Sequence, residues 1–260
     1  MRLLRTHPLP GRVRSALTVS LVGAALLLAG CAVGPGEMPR DWVATYSIVA
    51  ADPETGACGV AVQSKFFSVG SVVPWAEAGA GAVATQALAN TRLAPGLLDA
   101  MRQGAEVQAV LDGVLAADAG RARRQVGVVD ARGVAAAYTG EECFPFAGHR
   151  VGQGYAVQGN LLAGPEVLEA MASTFEAERA VGSPLPLALM TALQAGEDAG
   201  GDRRGRQSAA MLVVRRGAGY SGTDDRWVDL RVEDHPDPTV ELARLLKIHQ
   251  EFFAERWQVP

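Results

Sequence analysis

The sequence of 260 residues is poor in cysteine and lysine, and the shortage of cysteine argues against one class of protein. Three cysteines are too few for a disulfide-rich scaffold, which needs several bridges to hold a small domain together. Acidic residues outnumber basic ones, and the net charge of −4 disfavours a general nucleic-acid-binding surface. Only Lys65 and Lys247 are lysines among the 24 basic residues, so arginine supplies almost all of the positive charge.

The common catalytic and cofactor motifs are absent as well. We find no P-loop, no HExxH zinc motif and no GxSxG nucleophile elbow, and the four histidines lack the spacing of metal ligands. The stretch Gly79–Ala84 loosely matches a dinucleotide-binding fingerprint, but a strand rather than a helix is predicted after it. The sequence therefore predicts no metal and no cofactor, and it favours a structural role for His149 over general-base catalysis.

The first thirty residues are typical of an export signal. Residues 1–14 carry four arginines and no acidic side chain, and the apolar run Ala16–Ala29 is too short to span a bilayer comfortably. The run leads into Leu28-Ala29-Gly30-Cys31, which looks like a bacterial lipobox; the alternative is an ordinary signal peptide with a chance cysteine. We predict a signal peptide at residues 1–30 and a lipid anchor on Cys31.

The predicted anchor places the protein in the bacterial cell envelope. Ala32 stands where an aspartate would favour retention in the inner membrane, so the outer membrane or the cell surface is expected. Residues 31–44 contain two prolines and two glycines and are predicted to be a tether. Residues 45–260 contain no further linker and are predicted to form one domain.

Short apolar runs after Thr45 predict an alternation of strands and helices. A β-hairpin comes first, with strands Thr45–Ala50 and Gly59–Ser64 joined by a turn at Asp52–Gly56. The order of strands, two helices, strands, two helices, strands and one helix favours antiparallel sheet covered by helices over βαβ crossovers. The further predicted strands are Gly81–Gln86, Gln125–Asp130, Val134–Thr139, Tyr155–Leu162, Ser208–Arg215 and Trp227–Glu233, and the helices are Leu97–Gly104, Val107–Leu115, Pro165–Glu178, Leu185–Ala195 and Pro238–Arg256.

A series of motifs from Thr45 to about Leu246 resembles a bacterial family. The series begins with Thr45–Ala50 and Gly59–Lys65, which form the predicted hairpin. The remaining motifs are Val69-Gly70, Val73–Trp75, Gly81–Gln86, Gln125–Asp130, Ala147–His149, Tyr155–Asn160, Gly201–Gly205, Gln207–Ala210 and Val228–Val232. Together they resemble the domain of unknown function 1028 family, which is assigned to the N-terminal nucleophile (Ntn) hydrolase fold.

This resemblance implies an α+β fold, a four-layer αββα sandwich of antiparallel sheets, and a definite chemistry. In Ntn hydrolases the first residue of the mature domain attacks an amide carbonyl, and its own α-amine is the general base.

The residue of this sequence that matches the nucleophile is Thr45, although threonine is also common at the start of a strand. Lys65, at the end of the second predicted strand, would lower the pKa of that amine and stabilise the oxyanion, the alternative being a solvated surface charge.

Other polar residues of these motifs are expected near Thr45. Asn160 is predicted to supply an amide to an oxyanion hole, and Gln86 and Asn90 are predicted to line the same cleft. Asp202 and Arg203 either clamp a substrate carboxylate or form a salt bridge with each other.

The lipid anchor and the N-terminal nucleophile are compatible only if the Ala44–Thr45 bond is cut after export. One hypothesis is therefore a self-cleaving amide-bond hydrolase, released from its anchor, that acts outside the cytoplasm on a small amide or peptide-like substrate. The other is a non-catalytic, lipid-anchored domain that binds a ligand in the same cleft.

Apolar sandwich faces often pair, which would give a homo-oligomer. Cys58 and Cys143 either pair or serve as buried apolar side chains.

Overall fold

The computed structural model describes residues 42–258, and these residues form helices and two antiparallel sheets. The predicted α+β class is therefore confirmed. The predicted signal peptide, Cys31 and residues 31–41 of the predicted tether lie outside the described residues. Within the described part of the chain, no helix has the length and apolar character needed to cross a membrane.

The strands form a five-stranded first sheet and a six-stranded second sheet. The first sheet consists of β1 (Trp42–Val43), β4 (Pro74–Glu77), β5 (Gly81–Leu88), β6 (Arg124–Asp130) and β7 (Ala135–Thr139). The second consists of β2 (Thr45–Asp52), β3 (Ala57–Ser64), β8 (Gly148–Gly152), β9 (Tyr155–Gly159), β10 (Ser208–Val214) and β11 (Arg226–Val232). The first sheet has the order β1-β5-β6-β7, with β4 also paired to β5, and the second has the order β11-β10-β3-β2-β9-β8.

Helices pack on both sheets, and the buried apolar side chains fall into three clusters in the described part of the chain. The helices are α1 (Leu93–Arg102), α2 (Val107–Ala116), α3 (Glu166–Ala180), α4 (Leu185–Asp198), α5 (Pro238–Phe252) and α6 (Ala254–Trp257). One cluster joins the second sheet to α3, α4 and α5, another contains side chains of both sheets, and the third joins the first sheet to α1 and α2.

The predicted first hairpin is present and sets the register of the candidate site. Its turn is closed by a hydrogen bond from the Gly56 amide to the Asp52 carbonyl at 2.8 Å, and Gly56 adopts a φ of 71° that favours glycine. Pairing from Asp52 opposite Ala57 places Thr45 directly opposite Ser64 at the other end of the two strands. Because side chains alternate along a strand, Tyr46 packs with the helices while Thr45 lies on the opposite face.

The chain passes from one sheet to the other at Ala44. Residues Trp42 and Val43 pair with Leu88 and Ala87 at the end of β5, whereas Thr45 already begins β2 in the second sheet. Trp42, Val43, Ala44, Thr45 and Ala87 are buried, and Leu88 is half-buried. The last three residues of the predicted tether therefore belong to the folded part of the chain.

The sequence predicts most of the elements correctly but not all of them. The observed elements differ from the predicted ones mainly by a few residues at their ends; the strand predicted from Tyr155 to Leu162, for example, ends at Gly159. Strands β1, β4 and β8 were not predicted. β1 has only two residues, β4 begins at a proline, and most of β8 is exposed, so none shows a clear alternation of apolar and polar residues.

The two cysteines of the described region are buried free thiols rather than a disulfide. Burial raises the pKa of Cys58 to about 12 and that of Cys143 to about 11. Both side chains are therefore thiols at neutral pH and fill space as small apolar groups.

Candidate active site

The candidate nucleophile, Thr45, is completely buried where the two sheets meet. Its Oγ1 lies 2.8 Å from the carbonyl oxygen of Val43 and 3.0 Å from Oγ of Ser64, its cross-strand partner. These contacts hold the hydroxyl beside the peptide that precedes it in the chain.

The carbonyl oxygen of Ala44, which belongs to the Ala44–Thr45 peptide bond, receives two hydrogen bonds. The Ser64 hydroxyl donates to it at 2.5 Å, and Nη2 of Arg204 donates to it at 2.8 Å. A hydroxyl and a guanidinium aimed at one carbonyl oxygen polarise that bond and would stabilise negative charge on the oxygen. Ser64 also contacts the Thr45 hydroxyl, so it connects the candidate nucleophile to the carbonyl beside it.

The guanidinium of Arg204 is held in place by the buried carboxylate of Asp202. Nη2 of Arg204 donates to Oδ2 of Asp202 at 2.6 Å, and Nε donates to Oδ1 at 3.1 Å. The carboxylate also accepts the backbone NH of Lys65 at 3.1 Å, which ties this loop to the end of β3. Asp202 thus acts on the site through Arg204.

The carbonyl oxygen of Thr45 is fixed by two of the predicted site residues. It accepts the backbone NH of Asn160 at 3.0 Å and Nε2 of Gln86 at 3.3 Å. Gln86 comes from β5 of the first sheet, whereas Asn160 follows β9 of the second. The backbone of the candidate nucleophile is therefore clamped from both sheets.

A network of buried amide side chains continues from Gln86 into the space between the sheets. Gln125 accepts Nε2 of Gln86 at 2.9 Å and Nδ2 of Asn160 at 2.8 Å, while Ser47 links Gln86 to Gln158. Oδ1 of Asn160 and Oε1 of Gln158 are buried with no hydrogen-bond partner among residues 42–258. Such a network costs stability unless it is satisfied, so its position beside Thr45 is typical of a functional site.

The approach of Gln158 to the first sheet depends on a glycine. A Cβ atom at Gly127 would lie 2.0 Å from Oε1 of Gln158, far inside any permitted contact. The absence of a side chain at this point of β6 therefore leaves room for the amide network.

The remaining predicted site residues lie around this centre in different roles. The ammonium of Lys65 is exposed and donates to the carbonyl of Arg206 at 3.1 Å. Arg203 is also exposed, and its backbone NH donates to the carbonyl of Leu161. The amide of Asn90 donates to Oδ2 of Asp118 at 3.0 Å.

His149 lies at the edge of the second sheet, on β8. Its Nδ1 is 2.9 Å from the Thr139 hydroxyl, and desolvation lowers its pKa. Thr139 also accepts Nε2 of Gln125, so His149 is linked to the amide network through one hydroxyl.

The opposite face of β2 carries a second buried polar contact. The Tyr46 hydroxyl donates to Oε2 of Glu197 at 2.5 Å, and Glu197 is paired with Arg206. Burial, followed by the adjacent Glu197 carboxylate, raises the pKa of Tyr46 well above its ordinary value. Tyr46 is therefore a neutral donor that fixes β2 against α4.

Two residues that contact the Ala44 carbonyl, Ser64 and Arg204, are not among the predicted site residues. Ser64 is predictable from the sequence, because pairing the residues of the two strands one by one, starting from the turn at Asp52–Gly56, places Ser64 opposite Thr45. Arg204 gave no such signal, since loop side chains follow no period. Within residues 42–258, no group of three histidine, cysteine, aspartate or glutamate side chains is arranged to hold a metal ion.

Comparisons with known proteins give matches over most of the chain. Residues 45–242 match the profile of a family described as "Family of unknown function (DUF1028)". Among solved structures, the chain is similar to the crystal structure of protein SPO2555 from Silicibacter pomeroyi, which carries the same family designation. The TM-score is 0.71 at 33% sequence identity, covering 80% of this chain and 89% of that chain. No curated protein matches the chain.

Proposed function

Since the chain belongs to the DUF1028 family of proteins of unknown function, we propose its activity from its own residues: an Ntn-type amide-bond hydrolase whose nucleophile is Thr45. One observation carries the proposal. The carbonyl of Ala44 is polarised by Ser64 and Arg204 directly beside the Thr45 hydroxyl. This is the arrangement that cutting the Ala44–Thr45 bond requires, and such a cut would free the amine that an N-terminal nucleophile needs.

The proposed cut proceeds through an ester. Oγ1 of Thr45 attacks the Ala44 carbonyl carbon, and negative charge develops on the oxygen that Ser64 and Arg204 contact. The C–N bond then breaks, the hydroxyl proton ends on the Thr45 nitrogen, and the Ala44 acyl group is left on Oγ1. Water hydrolyses this ester to give the Ala44 carboxylate, the free Thr45 hydroxyl and the free amine.

The mature site then repeats the same chemistry on an external amide. The Thr45 amine accepts the hydroxyl proton while Oγ1 attacks the substrate carbonyl, and the leaving amine takes that proton as the C–N bond breaks. Water hydrolyses the resulting ester and restores the hydroxyl. Gln86 and the backbone NH of Asn160 fix the Thr45 carbonyl, which limits the movement of the nucleophile between the two steps.

The wider setting of this activity is part of the proposal. The three apolar clusters support a four-layer αββα sandwich of the Ntn type, because one cluster contains side chains of both sheets and each of the other two joins a sheet to helices. We further propose export by residues 1–30 and lipidation of Cys31 in a bacterial envelope, on the basis of the lipobox-like sequence. A cut before Thr45 would release the domain from this anchor.

The N-terminus of the exported protein tests the proposal directly. Intact-mass measurement and N-terminal sequencing of the full chain are expected to give a species that begins at Thr45. Thr45→Ala removes the attacking hydroxyl and is expected to leave the chain uncut, whereas Thr45→Ser keeps a hydroxyl and is expected to be cut.

Thr191→Ala is the matched control, because Thr191 is an exposed threonine on α4 whose hydroxyl bonds only to its own helix at Leu187. Equal cutting of Thr45→Ala and the wild type would rule out Thr45 as the nucleophile. A wild-type chain that stays intact would instead favour the alternative, a lipid-anchored domain that binds a ligand without catalysis.

A further inference from the structure

The segment before Thr45 is bound to the rest of the fold as a short added strand. Trp42 and Val43 pair antiparallel with Leu88 and Ala87 on β5, and β4 occupies the same edge of β5 at residues 81–84. An extended peptide that completes a sheet edge in this way is bound by main-chain hydrogen bonds, and its side chains provide specificity.

The side chains of this segment occupy distinct environments. Trp42 is 6% exposed and its ring packs on that of Phe144, with the centroids 4.4 Å apart. Val43 belongs to the apolar cluster that contains side chains of both sheets. Ala44 is completely buried, which leaves a small side chain at the carbonyl contacted by Ser64 and Arg204. The site therefore accommodates an aromatic, an aliphatic and a small residue in order.

Phe144 is a fixed part of this arrangement. Its carbonyl accepts the backbone NH of Leu161 at 3.0 Å, in the segment that also supplies Asn160 to the Thr45 carbonyl. The ring of Phe144 is only half-buried while Trp42 packs on it. Removing Trp42, which stands two residues before the attacked carbonyl, would expose the face of the Phe144 ring.

We propose that residues 42–44 occupy the site for the acyl side of the substrate, so that the mature enzyme hydrolyses extended peptide-like amides. This inference rests on the proposed function. The preferred acyl group has a small residue at the attacked carbonyl, an aliphatic residue before it and an aromatic residue before that. The cut leaves a carboxylate on Ala44 next to Arg204, so peptide acids of the same sequence also bind.

The test uses self-cut wild-type protein and two fluorogenic amides, acetyl-Trp-Val-Ala-aminomethylcoumarin and acetyl-Gly-Val-Ala-aminomethylcoumarin. We expect kcat/KM to be at least about tenfold higher for the tryptophan peptide, the range expected for a buried aromatic contact. Phe144→Ala is expected to reduce this preference about fivefold or more. Phe252→Ala, which alters a phenylalanine that is 78% exposed on α5, is expected to keep it.

Inhibition of the self-cut wild type by the peptide acids Trp-Val-Ala and Gly-Val-Ala gives a second measurement that requires no variant. Stronger inhibition by Trp-Val-Ala supports the proposal. A self-cut enzyme that shows no preference between the amides or between the acids, or hydrolyses neither amide, overturns the substrate class and leaves Thr45 as the nucleophile. A chain that stays uncut by mass measurement overturns the proposed function itself, and the inference falls with it.

Discussion

The hydrogen bonds to the Ala44 carbonyl give each side chain around it a separate task. Ser64 donates to the oxygen and contacts the proposed nucleophile, Arg204 brings positive charge, and Asp202 orients Arg204 from a buried position. The adjacent residue in sequence, Arg203, faces solvent. A pair of neighbouring arginines therefore provides a comparison in which charge and chain position are almost the same.

We expect Arg204→Gln to slow the Ala44–Thr45 cut about a hundredfold, because removal of one donor to a developing oxyanion has an effect of that size. In Arg203→Gln the Ala44–Thr45 bond should be cut at the wild-type rate. Arg204→Lys keeps the charge but not the two-point contact with Asp202, so an intermediate rate is expected. The rates are measured from the intact and cut masses over time in freshly folded protein.

Thermal unfolding of the same three variants separates a local effect from a loss of folding. Equal slowing by Arg203→Gln and Arg204→Gln at equal stability would show that overall positive charge, rather than the contact with Ala44, controls the cut.

At the scale of the elements, the loop before α1 is tied to the loop after α2. The carboxylate of Asp118 accepts Nε and Nη2 of Arg124 at 2.8 and 3.2 Å, the amide of Asn90 at 3.0 Å and the backbone NH of Gly120 at 2.8 Å. These contacts, led by Arg124, lower the pKa of Asp118 well below its ordinary value. Asn90, predicted to line the cleft, has its side chain in this structural contact.

Asp118→Asn is expected to lower the free energy of unfolding by about 2 kcal/mol at pH 7, as for loss of hydrogen bonds to a charged group. Because the folded state lowers the pKa of Asp118, its contribution is complete above the unfolded pKa of about 3.9 and decreases as the pH falls below it. The difference in the free energy of unfolding between the wild type and Asp118→Asn should therefore decrease from pH 7 to pH 3. Urea unfolding in the uncut Thr45→Ala background provides the measurement.

Asp112→Asn is the matched control, because Asp112 lies on the exposed side of α2 and bonds only to Gln108 in that helix. The free energy of unfolding of Asp112→Asn at pH 7 is expected to lie within about 0.5 kcal/mol of the wild-type value. If the difference in the free energy of unfolding between the wild type and Asp118→Asn stayed constant down to pH 3, the proposed stabilisation of the Asp118 carboxylate by Arg124 would be wrong.

The sequence could predict the elements that follow a strong local pattern. The first hairpin, with its Asp-Pro-Glu-Thr-Gly turn, and α2, with Val107, Leu111 and Leu115 on one face, are both confirmed. Glu106 also caps α2 by accepting the amides of Gln108 and Ala109. Such features depend on neighbours within a few residues, which a single sequence displays.

The contacts of the candidate site depend instead on residues far apart in the chain. Arg204 reaches Ala44 from a loop 160 residues away, and Gln86 meets Gln125 across neighbouring strands. The resemblance pointed to Thr45, Gln86 and Asn160 as residues of one site, and the structure brings these three together. It did not indicate which arginine of the Arg203–Arg206 stretch would face inward, because that depends on the path of the loop.

At the scale of the whole molecule, the proposed cut and the proposed anchor make a joint prediction. When the full chain is expressed with the proposed export signal at residues 1–30, the domain cut at Thr45 should appear in the soluble fraction. Thr45→Ala should hold it in the membrane fraction, because the chain stays joined to the lipidated Cys31. Fractionation followed by detection of a C-terminal tag measures both forms.

Combining Cys31→Ser with Thr45→Ala removes the proposed lipid attachment site from the uncut chain. We expect this double variant in the soluble fraction at the mass of an uncut protein. Membrane retention of the double variant would contradict lipidation at Cys31 as the cause of anchoring.

The complete burial of Thr45 has a consequence for the protein once it is cut. The cut would convert one neutral peptide into two ionisable groups, and water can reach the ester between them only once the segment before Thr45 moves away from Ser64 and Arg204. The new carboxylate would lie beside the guanidinium of Arg204, which favours its anionic form. Removal of the cut segment would therefore be a step separate from the cut itself, and the mature site would stay closed for as long as the product remains at Arg204.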